Sequence, residues 1–122
     1  GLTENVHKLA NELVKGNAPG VAYILDKVVD ALTEALVVYN GVMIRSDSTY
    51  YAQAQEAAGP GSEWAECHGR AIGLMGSGNL DERGRACLHL HSLTLEEVRP
   101  AMDPEYARVV EEAALRVAFV YT

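Results

Sequence analysis

Val21–Tyr39, which reads VAYILDKVVDALTEALVVY, is the stretch on which the interpretation of the whole chain depends. One set of apolar residues recurs at alternating steps of four and three positions, which places it on one side of an α-helix: Val21, Leu25, Val28, Leu32, Ala35 and Tyr39. Charged residues occupy the other side of the first three turns, and the last turn is apolar nearly all round. We therefore predict a central helix with partners on several sides.

The residues before this segment form a second helical pattern. Apolar side chains recur with helical spacing across residues 6–14, and Gly16 is the predicted end of that helix. Pro19 suits the first turn of the next helix. We therefore expect the first two helices to pack as an antiparallel hairpin.

Four further helices and one short turn are predicted after the central segment. Their predicted starts are residues 46–48, Ser62, Asn79, Thr94 (the short turn) and Asp103. The helix after Ser62 carries an apolar stripe that runs to Met75, and the last helix carries one from Tyr106 to Val120. The chain is thus predicted to be a single all-α domain over residues 1–122, a compact bundle of five to six helices.

Residues 36–45, LVVYNGVMIR, allow a second interpretation. The dipeptide Asn40-Gly41 can end a helix, but between two β-branched runs it is also a strong signal for a β-hairpin. We favour the helix because the four-three spacing continues to Val42 and few other segments could complete a sheet. An α+β fold with a hairpin over residues 36–45 is the alternative.

The charge of the chain narrows the classes of partner. It has 17 acidic and 10 basic residues, a net charge of −7, so we do not expect it to bind nucleic acid and favour a basic protein partner. Its longest apolar runs are too short to span a bilayer, so no membrane partner is expected. Residues 75–79 lack the lysine and the spacing of a phosphate-binding loop, and no cofactor is predicted.

The two cysteines bear on the compartment. Cys67 and Cys87 form no CxxC pair, and no segment typical of secretion is present, so we expect reduced thiols and a cytoplasmic location. His68 lies four residues after Trp64 on an apolar stripe. A histidine in that position is expected to be a buried, hydrogen-bonded part of the core.

Residues 83–91, RGRACLHLH, carry the groups best suited to chemistry. In an extended strand, Cys87, His89 and His91 point to one side and would present three metal ligands together. In a helix, Cys87 and His91 share a face and His89 does not. The metal hypothesis therefore depends on the conformation of this segment.

The same segment contains two arginine–histidine pairs. Arg83 and His89, and likewise Arg85 and His91, are each separated by five residues. An arginine can stabilise a phosphate while a histidine exchanges a proton. This spacing resembles the Arg-x4–6-His motif of the HEPN class of all-α ribonucleases, which implies metal-independent phosphodiester cleavage by these four residues. The residues after the two arginines are glycine and alanine, where that family usually has a polar residue.

Tyrosines suggest a binding surface. Tyr50 and Tyr51, if exposed, are suitable anchors for a protein interface. We therefore expect a small acidic protein-binding module or assembly subunit, comparable to immunity proteins, antitoxins or phage inhibitors, whose partner is a basic protein or, as a homodimer, a second copy. The alternative is a small helical enzyme, either a HEPN-like ribonuclease or a metal-dependent hydrolase, that uses residues 83–91.

Overall fold

The computed structural model describes residues 1–105, 108, 109 and 112. Within these residues the chain is all-α, with five α-helices, two short 3-10 turns and no strand: α1 (Leu2–Lys15), α2 (Ala18–Tyr39), α3 (Tyr50–Ala58), α4 (Glu63–Ala71) and α5 (Leu80–Val98). The predicted helical bundle is confirmed. The predicted last stripe, from Tyr106 to Val120, lies almost entirely outside the described residues.

α2 is the centre of this bundle. It packs extensively against α1, α3 and α5, while α4 packs mainly on α5. The side chains of Leu25, Val28, Leu32 and Leu36 have no exposed surface, and each such burial contributes about 2 kcal/mol. Nowhere in the described part of the chain is a helix both long and apolar enough to cross a membrane.

The end of α2 resolves the ambiguity at residues 36–45. Gly41 adopts a φ of 65°, its N–H donates to the Val38 carbonyl at 3.1 Å, and the Val42 N–H donates to the Val37 carbonyl at 3.0 Å. This pair of hydrogen bonds around a left-handed glycine is a Schellman helix end. The hairpin alternative is wrong because the β-branched run before the glycine stays within the central helix.

The side chain of Gln53 forms hydrogen bonds with the backbone of the residues after α2, as a partner strand would. The side-chain nitrogen of Gln53 donates to the Met43 carbonyl at 3.0 Å, and its oxygen accepts from the Arg45 N–H at 2.9 Å. A neighbouring strand would offer the same donor and acceptor. Thr49 donates to the same glutamine oxygen at 2.8 Å and so helps to hold the buried amide in place.

α4 ends earlier than predicted. Its last residue is Ala71, because Gly73 turns the chain at a φ of 85° and the Arg83 side chain donates to the Ala71 carbonyl at 3.0 Å. Met75, predicted to continue the stripe, instead folds back over Gly69. A Cβ atom on that glycine would lie 3.1 Å from the Met75 sulfur.

α5 is one continuous helix through Thr94, which was predicted to start a separate turn. The Thr94 hydroxyl donates to the Leu90 carbonyl at 2.7 Å and accepts the indole N–H of Trp64 at 2.8 Å. A buried indole needs such an acceptor. Thr94 therefore provides a hydrogen bond inside the core, and the prediction that a separate short turn starts there is wrong.

Gly84 lies inside α5, where glycine lowers helix stability. The structure supplies its reason: a Cβ atom at this position would lie 2.7 Å from a terminal methyl carbon of Leu13 on α1. The missing side chain therefore lets α1 and α5 approach each other closely.

We predict that the effect of Gly84→Ala depends on Leu13. Alanine is favoured over glycine inside a helix by about 1 kcal/mol, but the new methyl group must displace Leu13. In a Leu13→Ala background the clash is gone, and the same substitution should stabilise the protein. Urea unfolding of the four proteins should give a coupling energy of about 1 kcal/mol or more. Equal effects of Gly84→Ala in both backgrounds would contradict this account.

Candidate functional site

α5 carries every residue predicted to be catalytic or to bind metal, and its helical conformation separates them. Cys87 and His91 are buried, at 0% and 2% exposure, whereas the His89 side chain is 55% exposed. The three predicted ligands are therefore not brought together. Among the described residues, no group of three His, Cys, Asp or Glu side chains is placed to hold a metal ion.

The arginine–histidine pairs are also divided by the helix. Six positions along an α-helix correspond to about 240° of rotation and about 9 Å of rise, so members of a pair project in different directions. Arg85 forms an ion pair with Asp81 at 2.9 Å on the surface, while His91 is buried. The structure therefore does not bring the arginine and the histidine of either pair together. The enzymatic alternative stays a prediction from the sequence.

The other pair makes contacts with separate helices. Arg83 donates to the end of α4 and lies 4.0 Å from the Asp26 carboxylate on α2. His89 Nε2 lies 3.4 Å from a carboxylate oxygen of Glu63, the first residue of α4. Arg83 therefore joins three helices, and His89 contributes a surface contact.

His91 is buried, and within the described residues the hydrogen bonding of its ring is incomplete. Its Nε2 atom has no hydrogen-bond partner among the described residues. Burial, with a smaller contribution from His7 on α1, lowers the pKa of His91 to about 4. The ring is therefore neutral at neutral pH.

His68 is buried in a fully connected polar network, as predicted for a core histidine. The Thr33 hydroxyl donates its hydrogen to the Val29 carbonyl at 2.7 Å. In its contact with His68 Nε2, at 3.1 Å, the hydroxyl oxygen must therefore be the acceptor. Nδ1 then accepts from the Gln55 side-chain nitrogen at 2.9 Å. These contacts assign a neutral ring with its proton on Nε2, and burial lowers the pKa of His68 to about 4.

Two aromatic rings enclose this imidazole. Trp64 stacks on His68 with ring centres 4.7 Å apart, and Tyr51 meets its edge at 4.9 Å. The Trp64 indole also donates to Thr94. Through these side chains the network reaches α2, α3, α4 and α5.

The two cysteines are structural. Cys67 donates from its sulfur to the Ala86 carbonyl at 3.0 Å, and burial raises the pKa of this thiol to about 11. Burial also raises the pKa of the Cys87 thiol. Both side chains are therefore protonated at neutral pH, a form that is neither a nucleophile nor a metal ligand.

The two predicted interface tyrosines adjoin an acidic face of α2. Tyr50 is partly buried, Tyr51 is 39% exposed, and their rings stack at 5.8 Å. Burial raises the pKa of both phenols, and the charge of Asp30 raises it further. Glu34 acts on Tyr50 and Asp26 on Tyr51 in the same way. We call these five residues the tyrosine–acid surface.

The sequence contains local signals for the parts of this surface but none for their association. Asp26, Asp30 and Glu34 recur every four residues, which marks one face of α2. No local pattern places that face beside α3, because the two helices meet only through tertiary packing. The contacts of His68 with residues 35 and 13 positions away were hidden for the same reason.

Comparisons of the chain with protein-family models, curated proteins and solved structures found no match.

We predict that the protein loses stability as the pH falls below about 6.5, the usual histidine pKa. His68 and His91 have folded-state pKa values of about 4, so the unfolded chain binds protons first. The contribution of each neutral histidine to the free energy of unfolding is complete above the pKa of the unfolded chain. It decreases as the pH falls from that value towards the folded-state pKa, and the loss is roughly 2 kcal/mol per histidine at about pH 5. Urea unfolding at neutral pH and at about pH 5 measures the loss. An unchanged free energy of unfolding would contradict these protonation states.

We predict further that His91→Leu keeps or raises stability at neutral pH, because an apolar side chain of similar volume replaces a buried nitrogen that has no hydrogen-bond partner among the described residues. This variant should also lose about half of the histidine-linked destabilisation in acid. The matched control is His89→Gln on the exposed side of α5, which should change the free energy of unfolding by less than about 0.5 kcal/mol. A loss of several kcal/mol in His91→Leu would show an unrecognised hydrogen bond.

Proposed function

We propose that this chain is a small acidic protein-binding module and that the tyrosine–acid surface binds a basic protein. The observation that carries the proposal is the packing of α2 against α3, which places the exposed carboxylates of α2 near the tyrosine rings of α3. Such a surface combines charge complementarity with aromatic anchors.

The carboxylates supply the attraction. Asp26 is 82% exposed and forms one ion pair within the described part of the chain, with the Arg83 guanidinium at 4.0 Å. Asp30 and Glu34 are exposed and form no ion pair with a described residue. In a chain of net charge −7, this row should increase the rate of encounter with a positively charged surface.

The tyrosines supply the anchor. Tyr51 is held by the edge of His68 on one side and by the Tyr50 ring on another. A ring already held in place loses little side-chain entropy when a partner covers it. The exposed part of Tyr51 can therefore contribute most of its burial energy to binding.

We predict that the triple variant Asp26→Asn, Asp30→Asn, Glu34→Gln associates about tenfold more slowly with the partner, because long-range attraction is lost. Tyr51→Ala should instead accelerate dissociation by about tenfold or more, as expected for an aromatic anchor. The partner is obtained by affinity capture from nuclease-treated lysate of the source organism at low and moderate salt. Association and dissociation rates are then measured over a salt series.

The matched control has the same charge change on another part of the chain: Glu96→Gln, Glu97→Gln and Glu105→Gln, all of which are exposed. Its association rate should be much closer to that of the wild type. Equal slowing in both triple variants would show an effect of net charge alone. Unchanged rates in the surface triple variant and in Tyr51→Ala would place the binding site elsewhere.

A further inference from the structure

A shallow groove of about 470 Å³ opens between α3 and α4. Its apolar lining includes Ala52, Gly61, Ala65 and Met75. Three of these are small, so a second helix could approach the backbone closely. Met75, 43% exposed, is a flexible side chain that can adapt to different apolar surfaces. We call this feature the α3–α4 groove.

Two carboxylates flank the apolar lining. Glu56 on α3 and Glu66 on α4 both border the groove and are exposed. Neither forms an ion pair with any residue in the described part of the chain. The groove therefore combines an apolar floor with two exposed carboxylates that form no ion pair with a described residue.

Gln55 adds an acceptor at the same place. It lines the groove, and its side-chain nitrogen is engaged by His68 Nδ1 at 2.9 Å. Its side-chain oxygen makes no hydrogen bond with another described residue. The contact with the buried histidine thus fixes an amide whose oxygen can accept a hydrogen bond from a cation in the groove.

We propose that the α3–α4 groove binds an amphipathic helix of the partner protein, one that carries lysine or arginine beside a narrow apolar stripe. Helix-in-groove binding of this kind needs an apolar channel for the stripe and opposite charges along its rim. Both are present, with Glu56 and Glu66 as the charges. This inference rests on the proposed function, since it names the part of a basic partner that would bind beside the tyrosine–acid surface.

The test uses a fluorescently labelled amphipathic helical peptide of leucine and lysine, with the full chain titrated into it and anisotropy measured. Ala52→Trp fills the groove and should weaken binding by about tenfold or more. Glu56→Lys with Glu66→Lys should do the same by charge reversal. A peptide with serine in place of leucine has equal charge and should bind at least tenfold more weakly than the leucine peptide.

Matched controls separate the groove from general effects. Ala22→Trp adds the same ring to an exposed alanine on α2, and Glu96→Lys with Glu97→Lys makes the same change of net charge on α5. Both should bind the leucine peptide within about twofold of the wild type, as surface changes remote from a site do. Equal losses in these controls, or full binding by Ala52→Trp, would overturn the proposal.

Two further readings identify what has failed. If the peptide does not bind but the captured partner still depends on Tyr51, the groove proposal is wrong and the proposed function stands. If sedimentation shows that the wild type self-associates and Ala52→Trp is monomeric, a second copy occupies the groove, and the proposal is overturned.

Discussion

The hydrogen bond from His68 to Thr33 is the contact on which the relative placement of the helices depends. Apolar burial along α2 drives the chain to collapse, but it tolerates small shifts of one helix against another. A buried imidazole with both nitrogens bonded does not, because any shift leaves a polar atom without a partner in a medium of low dielectric constant. With Trp64 stacked on the ring and bonded to Thr94, this requirement extends from α2 to α5.

The same network positions the surfaces to which we assign binding. Tyr51 meets the edge of the buried imidazole, so its orientation at the surface follows from a contact in the core. Gln55 is bonded to the other side of that ring and lines the α3–α4 groove. Apart from Gly61 and Met75, which lie in loops, the named residues of the proposed binding surfaces lie on helices, which keeps the entropy cost of association low.

The segment that first suggested chemistry shows how conformation decides the meaning of a motif. Residues 83–91 would present a row of ligands in a strand, but α5 buries Cys87 and His91 and leaves His89 in solvent. Gly84 makes the same point, since a residue that weakens a helix in isolation here accommodates Leu13. Intrinsic preference was outweighed in this position by the packing of α1 on α5.

The helices follow from signals that are local in the sequence. The apolar spacing of Val21–Tyr39, the ends at Gly16 and Gly41 and the caps at Ser62 and Asn79 all concern residues a few positions apart, and they predicted the helices. Tertiary packing accounts for three further features: Gln53 replaces a partner strand, Thr94 accepts the Trp64 indole N–H, and the acidic face of α2 adjoins the tyrosines of α3. The hydrogen bonds among these contacts join residues eight to thirty positions apart, and no periodicity specifies a partner that packing alone brings near.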